Sequence, residues 1–298
     1  MIKLLNEYKN GNHITKIYSD GTRIRETNED KFISDFAENI DIKITNKCDM
    51  NCLMCHEESS INGLHMDDNL NFWNTLHPYQ EVALGGGNIF EYPNIEDLLK
   101  FLRSKNIIVN VTVNQKHFEN NIPLLLKWSI TGLIYGLGIS VNNANKELIK
   151  KSRLFNNAVL HIINGIISEE DIKKLSNQNV KILILGYKHK GRGIDNYNNK
   201  KDIIIKNQNY LKNNIKDLFD KFKVVSFDNL ALEQLDIKNI LDKKTWDKFY
   251  QGDDGTSTFY IDAVNKQFAK SSTSDIRYNL LDNVDEMFKM IKRKEVIL

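Results

Sequence analysis

The chain has 298 residues, 41% hydrophobic and 27% charged, which suits a folded protein with a sizeable core: one large α/β domain or two smaller ones. Its 41 Lys and Arg against 39 Asp and Glu leave a net charge of +2, too even a balance for a general nucleic-acid binder. No apolar run is long enough to cross a bilayer, and Met1 to Asn10 lacks the basic-then-apolar build of a signal peptide, so the expectation is a cytoplasmic protein with no membrane partner.

Between Leu4 and Thr27, short alternating stretches are broken at Asn10-Gly11-Asn12 and Ser19-Asp20-Gly21. These turn signals predict a small β-meander, with a short helix after it near residues 31–38. The pattern then changes. Strand-like runs fall at residues 40–44, 81–84, 107–113, 133–141, 158–163, 180–185 and 223–227, with helix-like stretches between most of them. Asn94 is placed to cap a helix over 95–104, and Ser168 one over 169–176. Residues 116–128 and 145–151 are further helical stretches, the first interrupted by Pro123. Alternation of this kind predicts a parallel sheet with crossover helices, either a barrel or an open doubly wound sheet, with the chemistry at the C-terminal strand ends. Six β/α units can be placed.

From Tyr187 to Lys223 there are nine Lys and one Arg against four Asp. That stretch is either a solvated face or a basic rim that attracts an anionic substrate, with Tyr187, Lys188, His189, Lys190 and Arg192 just beyond a strand end. Further on, residues 246–251 end a helix, 252–255 form a turn, 258–264 and 267–269 form a hairpin, and 284–294 form a last helix. The expected regions are residues 1–39, 40–228 and 229–298.

All three cysteines, Cys48, Cys52 and Cys55, lie within eight residues. An odd, clustered set is a poor disulfide framework and reads as metal-binding or redox-active. Three thiolates at C-x3-C-x2-C spacing let one loop wrap three corners of a [4Fe–4S] cube and leave one iron open. Two other readings stand beside this one. Positions i, i+4 and i+7 share one helix face, which would make the cysteines small buried residues. Zinc could take the three thiolates with His56 or His65 as the fourth ligand.

The segment Cys48-Asp49-Met50-Asn51-Cys52-Leu53-Met54-Cys55, in a loop after the first core strand, resembles the cluster loop of the radical S-adenosylmethionine (SAM) superfamily. Met54 departs from the aromatic residue usual before the third cysteine. Leu84-Gly85-Gly86-Gly87-Asn88 is similar to that family's SAM amino-group segment, with Asn88 in place of the usual Glu. Ser140, ending the fourth strand, matches a ribose contact, and Arg153, thirteen residues on, a partner for the SAM carboxylate. Tyr187, after the sixth strand, matches the adenine-holding segment. Asn114 and Gln115 end the third strand and could face the same site.

The resemblance, over roughly residues 40–227, implies a partial (β/α)6 barrel of the TIM type, flanked by the N-terminal meander and by a C-terminal hairpin and helix that lie outside it. It implies a [4Fe–4S] cluster and SAM as cofactors, and a flavodoxin- or ferredoxin-like electron donor. It also implies reductive cleavage of SAM to a 5′-deoxyadenosyl radical that takes hydrogen from the substrate. The tail is similar to a cysteine-free version of the extensions in peptide-modifying members. Three functions follow: action on a peptide or protein; the same chemistry on a nucleotide, RNA or small metabolite; or a non-catalytic metal-binding protein.

Overall fold

A computed structural model of the protein describes residues 2–295. The turns at Gly11 and Gly21 close a separate antiparallel sheet of β1 (Leu4–Asn10), β2 (His13–Tyr18) and β3 (Arg23–Glu26), in that order. Residues 31–38 form no helix. Their backbone is taken by side chains of the β1–β2 turn instead: Asn12 Oδ1 accepts from Ile33 N, and Asn10 Oδ1 from Asp35 N and Phe36 N.

The main sheet has ten strands. β4 (Asn39–Thr45), β5 (Glu81–Gly86), β6 (Ile108–Asn114), β7 (Gly136–Ser140), β8 (Ala158–Ile163), β9 (Lys181–Leu185) and β10 (Val224–Phe227) run parallel as neighbours in chain order. Beyond β4 the sheet continues through β11 (Thr258–Asp262), parallel to β4, then β12 (Gln267–Ala269) and β13 (Tyr278–Asn279), both antiparallel. Two expectations are corrected here. Eight parallel strands replace six, and the C-terminal hairpin lies inside the sheet. The pleat explains the second point. Tyr260 pairs with Asp41 and Asp262 with Lys43, which places polar beside polar, while Phe259 and Ile261 join Ile40 and Ile42 in the core. β11 thereby covers the edge that β4 would otherwise expose.

Along β6, Val109, Val111 and Val113 are buried on one face, and Asn110, Thr112 and Asn114 look the other way, half-buried. The apolar face carries the crossover helices. Ile95–Ser104 contributes Leu98, Leu99 and Leu102; Ile122–Ile130, begun by Pro123, contributes Leu125 and Trp128. The other face is polar or small from β4 to β7, with Asp41 and Lys43 on β4, Ala83 and Gly85 on β5, and Gly138 and Ser140 on β7. It is mixed beyond, with Val159 and His161 on β8 and Leu183 on β9.

The basic stretch after β9 is largely a 30-residue helix, Arg192–Lys221, non-helical only at Lys200. Ile204, Leu211, Ile215 and Leu218 form its buried stripe. The meander packs under the N-terminal strand ends. Arg23 pairs with Glu81 (2.5 Å), Gly21 N donates to Tyr135 Oη (2.9 Å) and Lys181 Nζ to Asp20 O (3.2 Å). No helix among the described residues is long and apolar enough to cross a membrane.

Candidate functional site

The chain leaves β4 at Thr45 and returns near His65, where a bridge between these two residues closes the neck of a loop. Inside the loop, Cys48 N donates to Ser60 O (2.8 Å) and Cys55 N to Cys52 O (3.2 Å). No helix forms, so the reading of the cysteines as one buried helix face is corrected: all three are free and half-buried. Burial raises the Cys48 and Cys52 thiols above their ordinary range. The neighbouring thiols push the same way, and Arg192 opposes them. The three sulfurs therefore sense one another.

Tetrahedral zinc, with Zn–S of about 2.3 Å, would need its sulfurs roughly 3.8 Å apart. Among the described residues the one set of three metal-ligand groups within 4.8 Å is Cys48, Asp49 and His117, not the three thiols. His117 and Asp49 are themselves only 2.6 Å apart, too close to be two ligands of one ion and right for a charge-assisted hydrogen bond. No set of three such ligand groups within 4.8 Å among the described residues includes His56 or His65. Three unpaired, partly accessible thiols, spaced more widely than a single ion allows, fit a [4Fe–4S] cluster.

Several outside groups anchor this loop. His117, buried on the helix Gln115–Asn120 after β6, holds Asp49. Lys43 on β4 holds Glu57 (2.8 Å) together with Asp262 of β11 (3.2 Å), and Tyr260 Oη donates to Glu57 (2.9 Å). Burial works against the Lys43 ammonium, yet the two carboxylates raise its pKa. Glu57 is also disfavoured by burial, but His56 and Lys43 hold it far below the usual carboxylate range. Arg192 donates to Cys52 O (3.0 Å) and Ser59 O (2.9 Å). Sequence reading gives His117, Lys43, Glu57, Tyr260 and Asp262 no part in holding the cysteine loop. The period-2 pattern of Tyr260 and Asp262 against Phe259 and Ile261 was the one available signal, and it shows only that β11 has a polar face.

The glycine segment serves two purposes. A Cβ on Gly86 would lie 2.3 Å from Thr45 O, and one on Gly87 2.3 Å from Lys47 O, so these two glycines let β5 press against the root of the cysteine loop. A Cβ on Gly85 would meet nothing within 4 Å; this residue borders open space at the end of β5. Asn88 is buried, and its side-chain oxygen accepts from Phe90 N (3.2 Å) at the start of a 3-10 turn. Ser140 lies at the C-terminal end of β7, between Asn114 and His161 in register, half-buried. Asn114 and Gln115 tie β6 to the segment after β7, through Asn142 and Asn143.

Two other residues expected at the cofactor are bonded to protein groups. Arg153 follows a helix, Lys146–Ser152, that runs back antiparallel to β7. It is exposed at the N-terminal end of the sheet, where its guanidinium bonds Gln178 O, far along the strand axis from the cysteines. Tyr187 is buried, its hydroxyl donates to Gly193 O (2.7 Å), and Gln234 takes both its backbone groups (2.9 and 2.8 Å). It braces the loop after β9. Lys188, Lys190 and Arg192 are likewise engaged, with His56 and Ser272, with Asp275, and with the cysteine loop.

The open polar face carries its own electrostatics. Asp41 is accessible, yet surrounding protein, with Asp254, Glu81 and Asp228, pushes its carboxyl up to about 6 against the pull of Lys188. Burial brings His161 down to about 4, so it is neutral at physiological pH.

No family profile matches the chain. No curated protein matches it. Solved structures do. Streptococcus suis SuiB bound to its precursor peptide SuiA has a TM-score of 0.55 at 14% identity, over 86% of this chain and 65% of that one. SuiB bound to S-adenosylmethionine has a TM-score of 0.51 at 14% identity, over 83% and 64%. At this identity the likeness shows a shared fold. This chain spans about 65% of the length of the SuiB chain.

Proposed function

We propose that this protein is a radical SAM enzyme acting on a peptide. The observation that carries the reading is the placement of Cys48, Cys52 and Cys55: unpaired, at C-x3-C-x2-C spacing, on one loop at the C-terminal end of a parallel strand, where ligands gather in such sheets. The fold shared with SuiB bound to SAM and to a precursor peptide supports both the cofactor and the substrate class. We read the sheet as a partial barrel: residues after β9 and β10 reach residues beside β4 and β11, as Lys188 reaches His56 and Asn229 reaches Asp254 (2.7 Å).

Cys48, Cys52 and Cys55 would hold the cluster, which with SAM supplies a 5′-deoxyadenosyl radical by one-electron reduction from a flavodoxin- or ferredoxin-like donor. The chain's own residues orient and shield. Gly85 leaves room beside the loop for a ligand backbone; Asn88 keeps an amide oxygen near it; Ser140 offers a hydroxyl at the next strand ends. His161 stays neutral on the polar face, and the Asp41 carboxyl, raised to about 6, is mostly ionised at neutral pH and takes a proton only on mild acidification. The C-terminal strands close the side of the sheet next to β4 and so limit water there.

The test is anaerobic reconstitution with iron and sulfide. About four irons per chain and slow release of 5′-deoxyadenosine with dithionite are expected, with both lost in each Cys→Ala variant. Stoichiometric zinc in a colourless protein would refute the reading.

A further inference from the structure

The six residues 188–193 are close-packed against the cysteine loop. A Cβ on Gly191 would lie 2.7 Å from His56 O and 3.1 Å from Cys55 O, so only a glycine lets the two backbones meet there. The backbone of Gly191 also has a φ of +51°, which disfavours any side chain. A Cβ on Gly193 would lie 2.3 Å from Lys188 O, which keeps the segment folded tightly on itself. From beneath, Tyr187 Oη donates to Gly193 O (2.7 Å) and is itself held by Asn196 Nδ2 (3.0 Å). Between the two glycines, Arg192 aims one planar fork at two carbonyls of the loop, Cys52 O and Ser59 O. That fork spans the stretch that contains Cys55. Within the stretch, the backbone bonds that hold it are short-range, Cys55 N to Cys52 O (3.2 Å) and Glu58 N to Cys55 O (3.3 Å).

We propose that residues 188–193 form a clasp on the cluster loop, with Arg192 as the positioning residue that sets the Cys52 and Cys55 corners and supplies them with a permanent positive charge. The inference rests on the cluster reading above. A guanidinium stays protonated at any pH the protein survives, and its fork fixes two acceptors at once. When the loaded site takes up one electron from a reductant, no bond forms and no proton moves, and its net charge becomes more negative. A fixed cation beside the thiolates favours that reduced form. Lys188 and Arg192 therefore act inward on the cluster loop, while Lys190 pairs with exposed Asp275.

The experiment compares the whole chain with R192Q and R192K. In the apo protein, amide exchange at Cys55 and Glu58 is expected to rise about tenfold in R192Q, since the loop opens locally without its fork. In the reconstituted protein, iron is expected to leave R192Q faster on desalting. The reduced-to-oxidised ratio at fixed ambient potential should fall about tenfold, or roughly 59 mV for one electron. R192K should restore most of that ratio but not the exchange protection, because an ammonium carries the charge without the fork. R192Q with wild-type exchange and wild-type potential overturns the clasp. Should R192Q not fold, exchange in R192K decides alone: protection equal to wild type overturns the proposal. If the wild-type chain takes up no iron, the cluster reading fails, and the apo exchange still decides whether the clasp exists.

Discussion

Lys43 Nζ lies 2.8 Å from Glu57 Oε2, joining the first parallel strand to the far side of the cysteine loop, and both groups are largely buried. Asp262 completes the site from β11, 3.2 Å from the same ammonium. Removing the cation takes the shared lysine from two buried carboxylates, leaving Glu57 with Tyr260 and His56, and Asp262 with Asn265. Breaking a buried ion pair typically costs about 3–5 kcal/mol. K43M is therefore expected to lower stability to urea by roughly that amount. The triple variant K43M/E57Q/D262N should recover most of the loss, because no buried charge remains. Equal instability of the single and triple variants would show that packing, not charge, holds this junction.

A second junction titrates. The Glu38 carboxylate receives His13 (2.8 Å), Thr15 (2.7 Å) and Arg25 (2.7 Å), tying the meander to the strand ends. Burial alone would raise its pKa, but His13, Arg25, Arg23 and Thr15 outweigh that and bring it from 4.5 down to about 2. Because the folded pKa lies below the unfolded one, the stabilisation is complete above about pH 4.5 and is lost as pH falls towards 2. The amount is about 3 kcal/mol from a shift of that size. Unfolding midpoints measured between pH 6 and 2 should show this slope, and E38Q should flatten it. An unchanged slope in E38Q would place the acid-sensitive group elsewhere.

The strand pattern was legible because hydrophobic runs of four to nine residues report burial on one face directly, and all seven core runs contain strands of one sheet. The cysteine loop was legible because three thiols in eight residues have few other uses. What failed was non-local. The position of β11 beside β4 depends on matching a polar face across more than 200 residues of chain, which no local period encodes. The helix Arg192–Lys221 had a readable apolar stripe, but its many Lys and Asn drew attention to charge instead. Lys188 and Arg192, read as part of either a solvated face or a basic rim, bond His56 and the carbonyls of the cysteine loop, while Lys190 pairs with exposed Asp275.

Arg153 lies apart from the cysteine loop and bonds Gln178 O. Thirteen residues beyond Ser140 is enough chain to carry a helix back to the opposite end of the sheet, and Arg153 ends there on Gln178 O. R153A is therefore expected to leave iron content and SAM affinity at wild-type levels, with a stability change within about 0.5 kcal/mol, as for other surface positions. Equilibrium dialysis of reconstituted protein with labelled SAM measures this. A tenfold or greater loss of affinity would return Arg153 to the site.

Gly85 and Gly86 are adjacent in sequence and opposite in environment, which makes them a controlled pair. A Cβ on Gly86 would press to 2.3 Å from Thr45 O, at a φ of +111°, so G86A must displace the root of the cysteine loop. It should lose iron and stability together, by more than 1 kcal/mol. A Cβ on Gly85 would meet no protein atom within 4 Å, so G85A should fold, melt as wild type does and hold about four irons. If a SAM backbone lies against Gly85, the added methyl occupies its space, and affinity should fall about tenfold or more, since overpacking typically costs 1–3 kcal/mol. Iron analysis and SAM dialysis on the two variants separate the roles. G85A with full iron and unchanged SAM affinity would move the cofactor away from the end of β5, while leaving the cysteine loop as the cluster site.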